Sequence, residues 1–85
     1  MGTVVEKSIY TREYELLLEL IKESRLENGI TQVQLAESLD EEQSWISKVE
    51  RGERRLDVVE LRAWCGSLGV PFLSFLRQFE KRLGN

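Results

Sequence analysis

The sequence predicts an all-α fold, a single domain of five helices. Three observations carry this. Glycine and a lone proline punctuate the 85-residue chain at intervals that short helices fill, with glycines at 29, 52, 66, 69 and 84 beyond the start and Pro71. The segments between most of these marks repeat their apolar residues at helical spacing. No convincing alternating stretch appears apart from a short "TVVE" near the start. With 41% hydrophobic and 32% charged residues, the chain has the composition of a folded domain rather than a disordered one. A chain this short buries a modest core, so a partner subunit would add stability.

The first helix is expected from about Thr11 to Asn28. Thr11 suits the N-cap, and Tyr14, Leu17, Leu18, Ile21 and Arg25 fall on one face before Gly29 stops it. The second runs from about Gln32 to Leu39. Thr31 and Gln34 form a T-x-x-Q capping box, Leu35 and Leu39 face inward, and Ala36 lets another helix approach. The third spans about Gln43 to Glu50, with Ile46 and Val49 inward and Gly52 after it. The fourth runs from about Asp57 to Leu68. Asp57 and Glu60 make a second capping pair, and Val58, Leu61, Trp64, Cys65 and Leu68 supply apolar contacts. The fifth starts near Pro71 and reaches about Leu83, with Phe72, Phe75, Leu76, Phe79 and Leu83 along one face. Residues 1–10 read as a flexible tail ahead of the single domain 11–85.

Composition removes whole classes of function. There is no histidine, hence no commonest general base and no commonest zinc ligand. One cysteine, Cys65, makes no internal disulfide and suits a reducing compartment. Without histidine, a nucleophile–base pair needs Lys, Asp or Glu, and none clusters in an evident pocket. No enzyme activity, metal, cofactor or small-molecule ligand is therefore expected. No segment has the apolar length of a membrane span, and the start lacks a secretory pattern and a myristoylation pattern. A cytoplasmic protein is expected. The net charge of −3 is unevenly spread. Residues 1–42 carry ten acids against four bases, a net −6, while residues 43–85 carry eight bases against five acids, a net +3. A basic patch on an acidic body can hold a polyanion while the remainder discourages indiscriminate binding.

Between the second and third helices lies "LDEE". A connection this short makes two short helices cross steeply, the helix-turn-helix arrangement. With Ile46 and Val49 inward, Gln43, Ser44, Ser47 and Lys48 must look outward. Gln can bond an adenine edge in two places, Ser can bond any base or a phosphate, and Lys favours guanine or phosphate.

The segments "GITQVQLAESL" and "QSWISKVERGERRLDVVELRAWCGSLGV" resemble the Cro/CI-type (lambda repressor-like) helix-turn-helix of the XRE family of transcriptional regulators, over roughly residues 14–75. The resemblance implies a compact five-helix domain that binds double-stranded operator DNA through the helix at about 43–50. It places Gln43, Ser44, Ser47 and Lys48 at base edges, Lys48 reaching a base or a phosphate. It places Gln32, Arg51, Gly52 (through its backbone N–H), Arg54 and Arg55 on phosphates. Trp45 occupies a slot whose aromatic packs at the edge of the turn, with an indole N–H able to donate to a phosphate. Arg25 and Glu50 match a partly buried ion pair that clamps the first helix to the third. Three acids depart from the family pattern: Asp40 stands where Gly is common, Glu41 where an apolar or basic residue is, and Glu42 where a cap residue or Pro is. They suit the helix dipole and work against phosphates.

Phe72, Phe75, Leu76 and Phe79 exceed what four small helices need, so part of this stripe is expected at a subunit contact. The resemblance points the same way. A twofold dimer sets two recognition helices about 34 Å apart and reads a near-palindrome. The expected function is a dimeric repressor, and a stand-alone domain leaves regulation to concentration, a partner protein or another regulator. The alternative is a helix-turn-helix scaffold used as a protein-interaction module, such as an antitoxin or regulatory adaptor, with weak or no DNA binding. The acidic turn and the pI near 5.0 support it.

Overall fold

Local chemistry sets where the helices of the computed structural model begin. The structure describes residues 11–84. Helix α1 (Arg12–Glu27) starts on Thr11, whose hydroxyl accepts the Tyr14 N–H at 3.2 Å. Helix α2 (Gln32–Leu39) starts on a reciprocal box: Thr31 Oγ1 accepts the Gln34 N–H at 3.0 Å, and Gln34 Oε1 accepts the Thr31 N–H at 2.9 Å. Helix α3 (Gln43–Glu50) has Glu42 at its cap position without a side-chain bond. Helix α4 (Val58–Leu68) repeats the box with Asp57 and Glu60, at 2.7 and 2.9 Å. Helix α5 (Phe72–Arg82) follows Pro71, which sits at the cap rather than in the first turn. Each box satisfies two backbone donors that a bare helix start leaves open.

The first four helices end alike, and this makes the connections short. In each, a residue of positive φ follows the last turn and two N–H groups fold back onto its carbonyls. At the α2 end the residue is Asp40, the only non-glycine of positive φ among the described residues, at 56°. Its N–H donates to the Glu37 carbonyl and that of Glu41 to the Ala36 carbonyl at 2.8 Å. Asp tolerates this conformation because its short polar side chain can bond locally. The connection from α2 to α3 therefore closes within three residues, Asp40 to Glu42.

The core draws on all five helices: Leu20 and Ile21, Leu35 and Ala36, Ile46 and Val49, Leu61, Trp64, Cys65 and Leu68, and Phe75. Helix α1 packs on α3, α4 and α5, while the α2–α3 pair leans on α1 and α4. Being surrounded, α1 buries a broader stripe than its apolar repeat suggested, including Leu20 and Ser24. Glu23 and Arg82 bridge α1 to α5, and Ser38 donates to or accepts from Ser67 at 2.8 Å between α2 and α4.

Two expectations need correction. Val58 is 66% exposed and stands apart from the core cluster, so it does not supply the apolar contact expected of it. Phe75 is 1% exposed within a single chain, so it fills the core instead of offering itself to a dimer contact. Phe72, Leu76 and Phe79 are half-buried against the same core, and Leu73 is 65% exposed. The expected tail at residues 1–10 and the "TVVE" stretch lie outside the described residues. Among the described residues there is no strand, and no helix is long and apolar enough to cross a membrane.

Cys65 is fully buried, and burial pushes its thiol from 9.0 up to about 11. Both facts oppose reaction. Labelling of the native protein by iodoacetamide at pH 8 is expected to run at least about 100-fold slower than that of the urea-unfolded chain, from the loss of thiolate alone. Mass spectrometry of timed samples checks this. Equal rates would mean that α4 opens readily.

Candidate nucleic-acid interface

Helix α3 is amphipathic in a simple way. Ile46 and Val49 are 0% exposed and root it in the core. Gln43, Ser44 and Lys48 lie exposed on its outer side, and Ser47 is half-exposed beside them. The side chain of Ser47 accepts from Arg51, one turn on, so it is tied along the helix.

Behind this surface runs a polar chain into the core. Arg25 and Glu50 are almost wholly enclosed, with side chains 7% and 4% exposed. Arg25 Nε and Nη2 donate to the two oxygens of Glu50 at 2.7 and 3.1 Å, and Nη1 donates to the Ile30 carbonyl at 2.9 Å. Glu50 Oε1 also accepts from Gln32 Nε2 at 3.0 Å, and Gln32 Oε1 accepts from Gln43 Nε2 at 3.1 Å. The ion pair thus orients Gln32 at the start of α2, and Gln32 orients Gln43 at the start of α3. Two groups assigned separately, one to a phosphate and one to a base, form one linked unit.

The segment after α3 is shaped by Gly52, at φ 81°, where an added Cβ would meet Leu18 Cδ1 at 3.1 Å. The Gly52 N–H donates to the Val49 carbonyl at 3.0 Å. The expected phosphate contact through that N–H is therefore corrected: the donor closes the helix, and the glycine serves the turn. Trp45 lies half-buried with its ring 6.0 Å from that of Trp64, tilted by 47°, and the Arg54 guanidinium covers it at 5.1 Å. It packs at the edge of the core. Arg55 lies 4.8 Å from the centre of the Tyr14 ring.

The cations beyond α3 are not equally available. Arg51 donates to both oxygens of Glu53, at 2.8 and 3.2 Å. Arg54 donates to both oxygens of Glu60, at 2.9 Å each. The Arg51 hydrogen bonds hold the Glu53 carboxyl below its ordinary value, and those of Arg54, then the Asp57 N–H, do the same for Glu60. Lys48 makes no ion pair among the described residues. The reading of the sequence identified Glu60 as a helix cap but missed its second task. The only sequence signal was an acid six residues beyond Arg54, too loose a spacing to interpret alone.

A short helix held by its apolar face across a second one, with a polar outer face and a basic margin, defines the helix-turn-helix class of DNA-binding proteins. Residues 21–75 match the helix-turn-helix family. An XRE-family-like protein from Pseudomonas syringae pv. tomato str. DC3000 is similar at 40% identity, with 92% of this chain and 95% of that one covered and a TM-score of 0.82. The wild-type restriction-modification controller protein C.Esp1396I is similar at 28% identity, covering 88% of this chain and 99% of that one, with a TM-score of 0.79. A tetramer of that controller protein in complex with its natural 35 base-pair operator matches at 28% identity over the same share of each chain, with a TM-score of 0.78. Comparison with curated proteins returns no match. The chain belongs to the XRE family of helix-turn-helix transcriptional regulators.

Proposed function

We propose that this protein is a repressor that binds a near-palindromic operator as a homodimer, with α3 in the major groove. The observation that supports this most is the split of α3. Ile46 and Val49 are fully enclosed, whereas Gln43, Ser44 and Lys48 stand clear of the fold. Gln43, Ser44 and Ser47 meet base edges, Gln43 being braced by Gln32, and Lys48 meets a base or a phosphate. Gln32, Arg51, Arg54 and Arg55 follow the phosphate backbone. Trp45 serves by carrying Arg54. The operator complex of the controller protein shows that a close structural relative uses this scaffold on DNA in an oligomer. The outward part of α5, with Phe72, Leu76 and Phe79 and the exposed Leu73, joins the two subunits.

Selection from random duplexes, with the solution mass measured alongside, tests the reading. One enriched near-palindrome and a dimeric mass are expected. Gln43→Ala is expected to cost about 1–3 kcal/mol of discrimination at one base pair of each half-site, while Arg55→Ala weakens all sequences alike. Binding curves on the selected site and on single-base variants of it measure both. The second reading, a protein-interaction module, is favoured by the pairing of Arg51 and Arg54 with acids of the same chain. Enrichment of no motif, with binding insensitive to salt, would favour it over DNA reading.

A further inference from the structure

We propose that Glu60 is a positioning residue: with Trp45, it holds the Arg54 guanidinium so that one free edge faces a DNA phosphate. The inference rests on the DNA-binding reading above and deepens it. A guanidinium carries five N–H donors in a rigid plane. In Arg54 three are occupied: Nη1 donates to Glu60 Oε1 and to the Arg55 carbonyl, and Nη2 donates to Glu60 Oε2. The two that remain, on Nε and Nη2, lie side by side along one edge. That edge is a fork of the spacing that grips two oxygens of a phosphate. The plane itself is fixed from a second direction by the Trp45 ring, 5.1 Å away. The side chain as a whole is still 42% exposed, which leaves room for a ligand to approach it.

Glu60 is itself held. Its Oε1 accepts the Asp57 N–H at 2.9 Å and its own N–H donates to Asp57, so the α4 cap fixes its place. A long side chain that would otherwise be ordered only on binding is ordered beforehand, and that ordering is a cost of association that the free protein has already met. The Arg51–Glu53 pair differs. Both side chains are more than half exposed, at 53% and 56%, and no ring lies against that guanidinium among the described contacts.

A double-mutant cycle decides the matter on a random-sequence duplex at low salt, since phosphate contacts need no particular sequence. Glu60→Gln keeps the helix cap, because Gln serves as well as Glu at that position. It also removes a negative charge near DNA, which by itself tightens binding. The cycle subtracts that gain by making the same change in an Arg54→Ala background. Relative to that background, Glu60→Gln is expected to weaken binding about 2- to 10-fold when Arg54 is present, the range for ordering one long side chain. Thermal melting of all four proteins accompanies the titrations, and a structural loss would move both backgrounds equally. A coupling of zero overturns the inference, and so does a gain in affinity specific to Arg54, which would make Glu60 a competitor of the phosphate. Failure of the unmodified protein to bind any duplex would instead defeat the DNA-binding reading, and the inference with it.

Discussion

Glu50→Ala is expected to destabilise the domain by about 3–5 kcal/mol, because it leaves a buried guanidinium without its counter-charge. The Glu50 carboxylate accepts three hydrogen bonds, two from Arg25 and one from Gln32, with its side chain 4% exposed. Removing it leaves Arg25 only the Ile30 carbonyl. For a domain of this size each kcal/mol lowers the melting temperature by about 4–8 °C, so a fall of about 12 °C or more should be seen. Urea denaturation gives the free energy directly. The double substitution Arg25→Met with Glu50→Leu should recover most of the loss, since an apolar pair of similar volume needs no desolvated charge. A single-mutant loss under about 1 kcal/mol would mean that the pair is hydrated and does not clamp α1 to α3. The same variant frees Gln32, so the arrangement of Gln43 on the proposed DNA face should loosen as well.

Phe75→Ala is expected to cost about 3–5 kcal/mol of stability, the usual penalty for emptying a fully enclosed aromatic site. Its ring is 1% exposed and belongs to the same apolar cluster as Trp64 and Leu68. Leu73→Ala should behave in the opposite way. At 65% exposure it contributes little to the single chain, but it lies on the surface proposed to meet a second subunit. It should leave the urea midpoint of the dilute protein nearly unchanged and raise the concentration at which the dimer dissociates. Sedimentation across a concentration series, set beside urea curves for both variants, separates the effects. A Phe75→Ala protein of undiminished stability that no longer dimerises would return Phe75 to the interface.

The Glu50 variant probes a wider design. The surface proposed to meet DNA rests on the interior rather than lying over it. Gln43 is tied to Gln32, Gln32 to Glu50 and Glu50 to Arg25, so the charge buried at the α1–α3 contact also orients the start of α3. On the far side, Trp64 in the core supports Trp45, and Trp45 supports Arg54. Rigid support of this kind keeps a recognition group close to its working geometry before the partner arrives.

Helix positions were legible from residues alone because caps and turn residues act within four or five positions of one another. Thr31 with Gln34, Asp57 with Glu60, and Gly29, Gly52 and Gly69 mark their boundaries by local chemistry. The outward set on α3 was legible for a related reason: once Ile46 and Val49 point in, helical spacing leaves Gln43, Ser44 and Lys48 outside. The family pattern, too, is a string of such local signals. Other features depended on how distant segments meet. Phe75 and Leu73 sit two positions apart on one apolar-looking helix, and only the placement of α1 and α4 against it buries the first and exposes the second. Arg51, Arg54 and Arg55 look equivalent along the chain, yet one pairs with Glu53, one with Glu60 across the start of α4, and one covers Tyr14 from α1. Ion pairs and ring contacts form wherever folding brings the partners together, and sequence spacing carries little trace of them.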